Sequence, residues 1–391
     1  MIEISHLFRF VARALRMKVY CRPTARVWGS FAGKFVLTVT LLASFVNTWP
    51  RLYGQSTPPS TSRDRLARAE HYVQLREFSK AAAELDDLLQ TRPDADPEAY
   101  ILLGVSHMKM GQKEKALAAC DQGLAHFHAD KNLSEFCVSV VEQSLPAAEC
   151  KTRLVRFLDL APDSPAFLKA LGQILMQENP GSPEGFELLK RASATSPQDA
   201  EAHFLYGKSL CFAKQFEECI VQLDKARRLK PGNVQADLQI FTMIGIAEDT
   251  LNDAEKAESA FLKAMQANRE LPQHNPEAAM QYILFLSRQG KLEEMKPIIN
   301  NVLSWDPAYG AAHFERAKLL FKEHKREEAA KEAELALADA RSNGTEVRSY
   351  HAFLAKTYFA LGRSKEAEIH QNWVESHQTA TEQTPAARTS D

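Results

Sequence analysis

The amino-acid sequence predicts an all-α protein built from repeated pairs of helices. Apolar residues recur at three- and four-residue intervals, and no long stretch alternates polar and apolar residues with a period of two. Proline and glycine return with a period near 34, since Pro162, Pro197 and Pro231 are 35 and 34 residues apart and Gly172 and Gly207 are 35 apart. A period of this length, divided by an internal turn, accommodates two helices of about 12 to 14 residues each.

Composition and charge indicate a folded protein and narrow the classes of partner. The 391 residues are 45% hydrophobic and 25% charged, as in an ordinary globular protein. Residues 1–54 contain eight lysines and arginines against one acid, Glu3, and the whole chain carries −2, so the remaining residues carry −9. Nucleic-acid backbones select basic grooves, and an acidic body therefore argues against a nucleic-acid partner.

The first 54 residues have the layout of a signal peptide or N-terminal membrane anchor. A basic stretch precedes the 12-residue apolar run 35–46, and Pro50 and Gly54 follow it. A spanning helix needs about 20 apolar residues, so this run is short for one. We expect export to the periplasm or the extracellular space, or retention at the membrane by an uncleaved N-terminal helix. Residues 55–64 are polar and are expected to form a linker.

Small residues within the helical pattern predict how the helices pack. Gly104, Gly207, Ala81 and Ala116 would let two helices approach closely, which bulkier side chains would prevent. Each pair leaves an apolar face uncovered, so neighbouring pairs must stack into a solenoid. We expect at least sixteen helices between residues 62 and 375, in antiparallel pairs, with no sheet. The last residues, 376–391, are polar and are expected to form a disordered tail.

Two stretches carry the motif of a known repeat. Residues 96–128 contain Tyr100, Leu103, Gly104, Gly111, Ala116 and Leu124 in its pattern. Residues 200–231 contain His203, Tyr206, Gly207, Leu210, Phe216, Leu223, Ala226 and Pro231. In these positions the chain resembles the tetratricopeptide repeat family. Further matching copies are 62–93, 276–307 and those beginning near 311 and 349, whereas 131–162, 165–197 and 238–271 are degenerate.

The resemblance implies an architecture and a class of function. It implies a right-handed superhelical solenoid of about nine repeats over residues 65–375. Proteins of this family usually hold a peptide or a partner helix on the concave side, which the first helix of each repeat lines. Reading that face in four-residue steps gives candidate partner-groove residues that combine lysine with aromatic and aliphatic side chains: Phe204, Lys208, Phe212, Met280, Leu284, Phe314, Lys318, Phe321, Lys322, Lys356 and Phe359.

Aromatic side chains beside lysines favour a ligand with apolar anchors and acidic groups. An alternative is that some of these phenylalanines belong to the core. If Phe314 and Phe321 line a groove, their rings should be partly exposed while Ala317 and Leu320 are buried.

Motifs of catalysis and cofactor binding are absent from the sequence. There is no phosphate-binding glycine loop, no zinc-binding His-Glu-x-x-His, no nucleophile elbow and no Cys-x-x-Cys. We therefore expect no catalytic residue, metal or cofactor. The sequence favours a non-enzymatic interaction scaffold of the cell envelope that binds a protein partner. The alternative is a chaperone-like assembly factor that holds exported or outer-membrane clients.

Five cysteines follow the N-terminal segment: Cys120, Cys137, Cys150, Cys211 and Cys219. The repeat pattern places small packing residues at two of these positions, 150 and 219, so each is either a small hydrophobic residue or half of a disulfide. Stacking of adjacent repeats should bring Cys137 close to Cys120 or Cys150.

Overall fold

The computed structural model describes residues 61–339 and 344–377. The predicted signal or anchor, residues 1–54, and positions 378–391 of the predicted tail lie outside the described residues. Within them the chain forms eighteen α-helices and no strand. This confirms the predicted all-α class and the predicted minimum of sixteen helices.

The helices alternate between a first helix, A, and a second helix, B, of nine consecutive pairs. The A helices are α1 (Ser62–Gln74), α3 (Pro97–Lys109), α5 (Lys131–Ser144), α7 (Pro165–Glu178), α9 (Ala200–Phe212), α11 (Val234–Thr250), α13 (Pro276–Arg288), α15 (Gly310–Lys322) and α17 (Gly344–Ala360). The B helices are α2 (Phe78–Thr91), α4 (Lys113–His126), α6 (Ala147–Leu160), α8 (Pro183–Thr195), α10 (Phe216–Leu229), α12 (Ala254–Glu270), α14 (Leu292–Trp305), α16 (Arg326–Leu337) and α18 (Ser364–Ser376).

Short polar side chains fix where several A helices begin. Asp96 and Asn275 accept hydrogen bonds from backbone N–H groups in the first turns of α3 and α13, and a proline follows each of them. At the first helix, Thr61 Oγ1 accepts a hydrogen bond from the backbone N–H of Asp64, 3.2 Å away. This cap starts α1 at Ser62, within the stretch 55–64 that the sequence predicted to be a linker.

The turn between helices A and B repeats one backbone conformation. Gly111, Gly290 and Gly362 have φ of 73° to 74°, in the left-handed region that glycine adopts without steric cost. The same position, two residues before helix B, also has positive φ in four other pairs, where a residue with a side chain occupies it. These residues are Arg76, Lys214, Asn252 and His324.

Two glycines on A helices allow close packing against bulky rings. A Cβ built on Gly104 would lie 2.5 Å from the ring of Phe136, and one on Gly245 would lie 2.8 Å from the ring of Phe261. Real Cβ atoms do not approach other atoms so closely, so a larger residue at either position would force the helices apart. The sequence prediction of a tight approach at Gly104 is therefore confirmed.

Polar pairs joining helices A and B recur at one register of the repeat. Four pairs of side chains separated by 19 residues form hydrogen bonds across the two helices: Arg65–Glu84, His203–Gln222, His313–Glu332 and His351–His370. Two of these histidines also lie within hydrogen-bond distance of the carbonyl of the proline that ends the preceding pair, Pro197 for His203 and Pro307 for His313. Each of these two histidines thus contacts both helix B of its own pair and the segment that follows the preceding pair.

The described residues divide into two compact units, one ending at residue 171 and the other beginning at residue 172. In the described part of the first unit, Tyr100, Phe157 and Phe167 are at most 2% exposed. The Cys137 thiol contacts Cys120, and burial together with this hydrogen bond raises the pKa of Cys137 well above its ordinary value. The predicted contact between these two cysteines is confirmed, and the structure leaves both as free, buried thiols.

The second unit contains a continuous apolar core. It surrounds Phe261, whose ring lies 5.6 Å from Tyr282 and 5.3 Å from Phe285, centroid to centroid. Further buried members come from the three consecutive helices α12, α13 and α14 and include Ala264, Ile283, Leu286, Met295 and Ile299. Because each pair covers the apolar face of its neighbour, this core runs from helix to helix.

A half-buried carboxyl on α3 should make the stability of the first unit depend on pH. Burial, together with the charges of Glu70, Asp96 and Asp130, raises the pKa of Glu98 to about 7. In the unfolded chain the pKa of a glutamate is about 4.3. Between these two pKa values the folded state binds the proton more tightly than the unfolded state, so stability falls as pH rises. We expect Glu98→Gln to raise the melting temperature at pH 8 and to change it little at pH 4.5. Calorimetry measures the melting temperatures. An equal change at both pH values would contradict the raised pKa of Glu98.

Two histidines near the C-terminal end of the second unit should make stability depend on pH in the opposite direction. The Nδ1 atoms of His351 and His370 are 2.8 Å apart, a hydrogen bond that requires one of them to be unprotonated. Burial lowers the pKa of both residues; His370 adds to the lowering at His351, whereas Glu334 opposes it at His370. Trp373 stacks on His351 with a ring separation of 4.0 Å.

Acidification should therefore loosen the contact between α17 and α18. Above the ordinary histidine pKa of about 6.5 both states are neutral and the contact keeps its full stability. As pH falls below that value the unfolded state takes up protons first, so stability is lost. We expect faster amide exchange in α18 at pH 5 than at pH 7.5, after correction for the intrinsic rate. The double variant His351→Gln, His370→Gln should show no such pH dependence; if it does, another group is responsible.

Candidate functional site

The predicted groove residues all lie on A helices of the second unit. Phe204, Lys208 and Phe212 are on α9, Met280 and Leu284 on α13, Phe314, Lys318, Phe321 and Lys322 on α15, and Lys356 and Phe359 on α17. The structure places Lys356 of α17 over the ring of Phe321 of α15. On α9, by contrast, Phe204 packs on the core cluster around Leu210 and Cys219.

Three rings form the centre of the candidate site. Phe353 of α17 lies between two phenylalanines of α15, with centroids 5.4 Å from Phe314 and 5.6 Å from Phe321. Tyr350 also packs on Phe314, with ring centroids 4.6 Å apart. Phe314, Phe321 and Phe353 are half-buried, so each ring has one part in the packing between α15 and α17 and another open to solvent.

Two lysines cover these rings. Lys318 Nζ lies 5.1 Å from the ring centroid of Phe314, and Lys356 Nζ lies 5.0 Å from that of Phe321. An ammonium over a ring face is attracted by the negative face of the ring, by about 0.5–1 kcal/mol at an exposed site. The five residues Phe314, Lys318, Phe321, Phe353 and Lys356 are called the aromatic–lysine face below.

The charges of the two covering lysines are balanced differently. Lys318 forms an ion pair with Glu315, one residue after Phe314 on the same helix. Glu315 is 3% exposed, and its second carboxylate oxygen, Oε2, has no hydrogen-bond partner among the described residues. Lys356 has no carboxylate within 4 Å in the described part of the chain, and the same holds for Lys322.

Exposure at the remaining candidate positions corrects part of the sequence prediction. Met280 is 3% exposed and belongs to the core around Phe261, because α13 packs between α11 and α15 and the flexible thioether fills the space there. It is therefore not a groove residue. Ala317 is fully buried as expected, whereas Leu320 is half-buried, so only part of the predicted contrast with Phe314 is confirmed.

Two rings at the ends of A helices are open to solvent. Phe212 at the end of α9 is 53% exposed and Phe359 near the end of α17 is 48% exposed. Lys208 is exposed as well, and Leu284 is half-buried. These side chains are accessible to a partner, but no described contact joins those of α9 to the aromatic–lysine face.

A disulfide lies beside Phe212. Cys211 at the end of α9 is bonded to Cys219 in the first turn of α10, with Cα atoms 5.3 Å apart. The sequence left open whether Cys219 packs as a small hydrophobic residue or forms a disulfide, and the structure shows the disulfide. Cys150 is a free, buried cysteine.

The described residues provide neither a cluster of metal ligands nor a membrane-spanning helix. No group of three or more histidine, cysteine, aspartate or glutamate side chains in residues 61–339 and 344–377 is placed to hold a metal ion. Within the same ranges, no helix has the length and apolarity needed to cross a membrane.

Comparison with known families supports the predicted resemblance over part of the chain. Residues 66–130 match the tetratricopeptide repeat family, a region that includes α2, α3 and α4. No curated protein matches the chain significantly.

Three solved structures are similar to the chain at low identity. YrrB, described as a tetratricopeptide repeat protein with an unusual peptide-binding site, has 17% identity and a TM-score of 0.38, covering 50% of this chain and 96% of its own. PilF of Pseudomonas aeruginosa has 18% identity and a TM-score of 0.44, and the match covers 66% of this chain and 96% of its own. A tetratricopeptide repeat protein of Parabacteroides merdae has 14% identity and a TM-score of 0.40, and the match covers 76% of this chain and 98% of its own.

Sequence reasoning found the lysines and two of the three rings but missed Phe353. The four-residue steps follow one stripe of each A helix, whereas Phe353 lies one position outside the stripe of α17 and faces α15. The signal in the sequence is the closely spaced aromatic series Tyr350, Phe353 and Phe359 on one helix.

Proposed function

We propose that this protein is a non-enzymatic interaction scaffold whose aromatic–lysine face binds a partner segment containing acidic and apolar side chains. The observation that carries the proposal is the pair of half-buried phenylalanines, each covered by a lysine. The tetratricopeptide match of residues 66–130 supports a role in protein binding.

The lysine positions explain why the partner should combine the two kinds of side chain. Lys318 and Lys356 lie over the Phe314 and Phe321 rings, so an apolar side chain that stacks on these ring faces must compete with them. An acidic group next to the apolar one draws the ammonium away from the ring and uncovers it. The released ring then contributes the apolar contact, and the two interactions support each other.

Photo-crosslinking in the native cells tests this proposal. A benzoylphenylalanine is placed at Phe359, which borders the face, and at Leu335 of α16, which is equally exposed at 50% but belongs to a B helix. We expect crosslinks from position 359 to one defined partner, at segments where acids flank apolar residues. Crosslinks to many unrelated proteins would favour the chaperone-like alternative, and equal crosslinking from both positions would contradict the proposed face.

We further propose that the protein is exported and acts in the cell envelope. The basic and apolar layout of residues 1–54 supports export. The Cys211–Cys219 disulfide also supports it, because disulfides persist in oxidising compartments. A reporter active only outside the cytoplasm, fused after residue 54, should be active, and the native protein should resist alkylation at these two cysteines. A reporter that is inactive and a protein that is fully alkylated without reductant would contradict export.

A further inference from the structure

We propose that Glu315 is a specificity-determining residue that limits how strongly the aromatic–lysine face binds acidic partners. It does so by holding the ammonium of Lys318. This inference rests on the proposed function and adds a residue that no step of that proposal uses.

The geometry around Glu315 is unusual for a buried carboxylate. Burying a charge is costly unless it is paired and hydrogen-bonded. Glu315 is 3% exposed, yet only one of its carboxylate oxygens has a partner, and that partner is Lys318. The carboxylate therefore depends on this one ammonium for its compensation.

Lys318 is shared between two sites as a result. Its Nζ contacts Glu315 and lies over the ring of Phe314 at the same time. A partner's carboxylate must compete with Glu315 for the ammonium, and removing Lys318 leaves a buried charge without compensation. At Lys356 no such competitor exists among the described residues, so this lysine is the one that a partner acid engages without opposition.

The pair acts as a filter on partner charge. A partner with one acid engages Lys356 and leaves the pair on α15 intact. A partner with a second acid gains less affinity from that acid than it would at an unpaired lysine, because the acid must compete with Glu315 for Lys318. Glu315 therefore reduces the discrimination between strongly and weakly acidic partners, and its replacement by a neutral residue should increase it.

The test uses a fluorescein-labelled dodecapeptide in which glutamates and aspartates flank two phenylalanines. A matched neutral peptide carries glutamine and asparagine at the acidic positions. Affinities of the full-length protein are measured by fluorescence anisotropy at low and high salt. We expect Glu315→Gln to bind the acidic peptide about two- to fivefold more tightly than wild type, with no change for the neutral peptide. The gain should shrink at high salt because the freed ammonium is partly exposed.

A second background separates this effect from a change in folding. In Lys318→Gln, the additional Glu315→Gln change should leave the affinity for the acidic peptide unaltered, because no ammonium remains to be released. Melting temperatures of all variants are measured in parallel, and Glu315→Ala is a second neutral replacement.

The failures of the two proposals are distinguishable. If wild type does not prefer the acidic peptide over the neutral one, the proposed function fails. If wild type prefers it but Glu315→Gln does not tighten binding, or tightens it equally in the Lys318→Gln background, the role of Glu315 is overturned and the face itself stands.

Discussion

Replacing Phe261 by alanine should destabilise the second unit by about 3–5 kcal/mol, the range for a large buried ring. Phe261 is fully buried, packs against Tyr282 and Phe285, and lies directly under Gly245. The cavity would open in the centre of the core, where helices from two consecutive pairs meet. The surrounding side chains are held by these helices and can fill the cavity only in part. Urea denaturation followed by circular dichroism measures the loss.

The neighbouring residue provides a matched control for this prediction. Leu262 is 51% exposed on the same helix, so Leu262→Ala should change the free energy of unfolding by no more than about 0.5 kcal/mol. Equal losses for the two variants would show that the core of this unit is not centred on Phe261.

The second large effect concerns binding and follows from the charge of Lys356. Lys356→Glu places a carboxylate beside the ring of Phe321, where the proposed partner acid should sit. We expect the acidic dodecapeptide to bind about five- to tenfold more weakly at low salt, with most of the loss removed at high salt. Affinity for the neutral peptide should change much less.

Lys331→Glu is the control for this change. Lys331 is exposed on helix B of the preceding pair, so the variant alters the net charge of the unit by the same amount away from the face. If both variants weaken binding equally, the effect comes from overall charge and not from the aromatic–lysine face.

The sequence predicted the helix pairs well because their signals are local and repeated. Periodic prolines and glycines mark the ends and turns of helices, and a small residue such as Gly104 marks a close approach whatever the partner ring is. Glycine occupies three of the turns between helices A and B with positive φ, at Gly111, Gly290 and Gly362. The same turns at Lys214 and His324 were not predictable, because a side chain in this conformation is tolerated only when the flanking helices fix the backbone.

The candidate site was predicted less completely because it depends on contacts between helices. Helical spacing showed that Phe314 and Phe321 share a stripe, but not that Phe353 of another helix lies between them. Spacing also placed Met280 on the stripe, although the packing of α13 between two A helices buries it. The cysteines show the same limit, since the distance between Cys211 and Cys219 depends on the turn that joins their helices.

A charge-swap measurement tests the aromatic–lysine face most directly. A third peptide carries lysines where the acidic dodecapeptide has glutamates and aspartates, and both are titrated against wild type and the double variant Lys318→Glu, Lys356→Glu. Wild type should bind the acidic peptide more tightly, and the double variant should prefer the basic peptide, with both preferences decreasing as salt rises. If the double variant keeps the wild-type preference, or if neither protein distinguishes the two peptides, these lysines do not contact the partner and the proposed face is wrong.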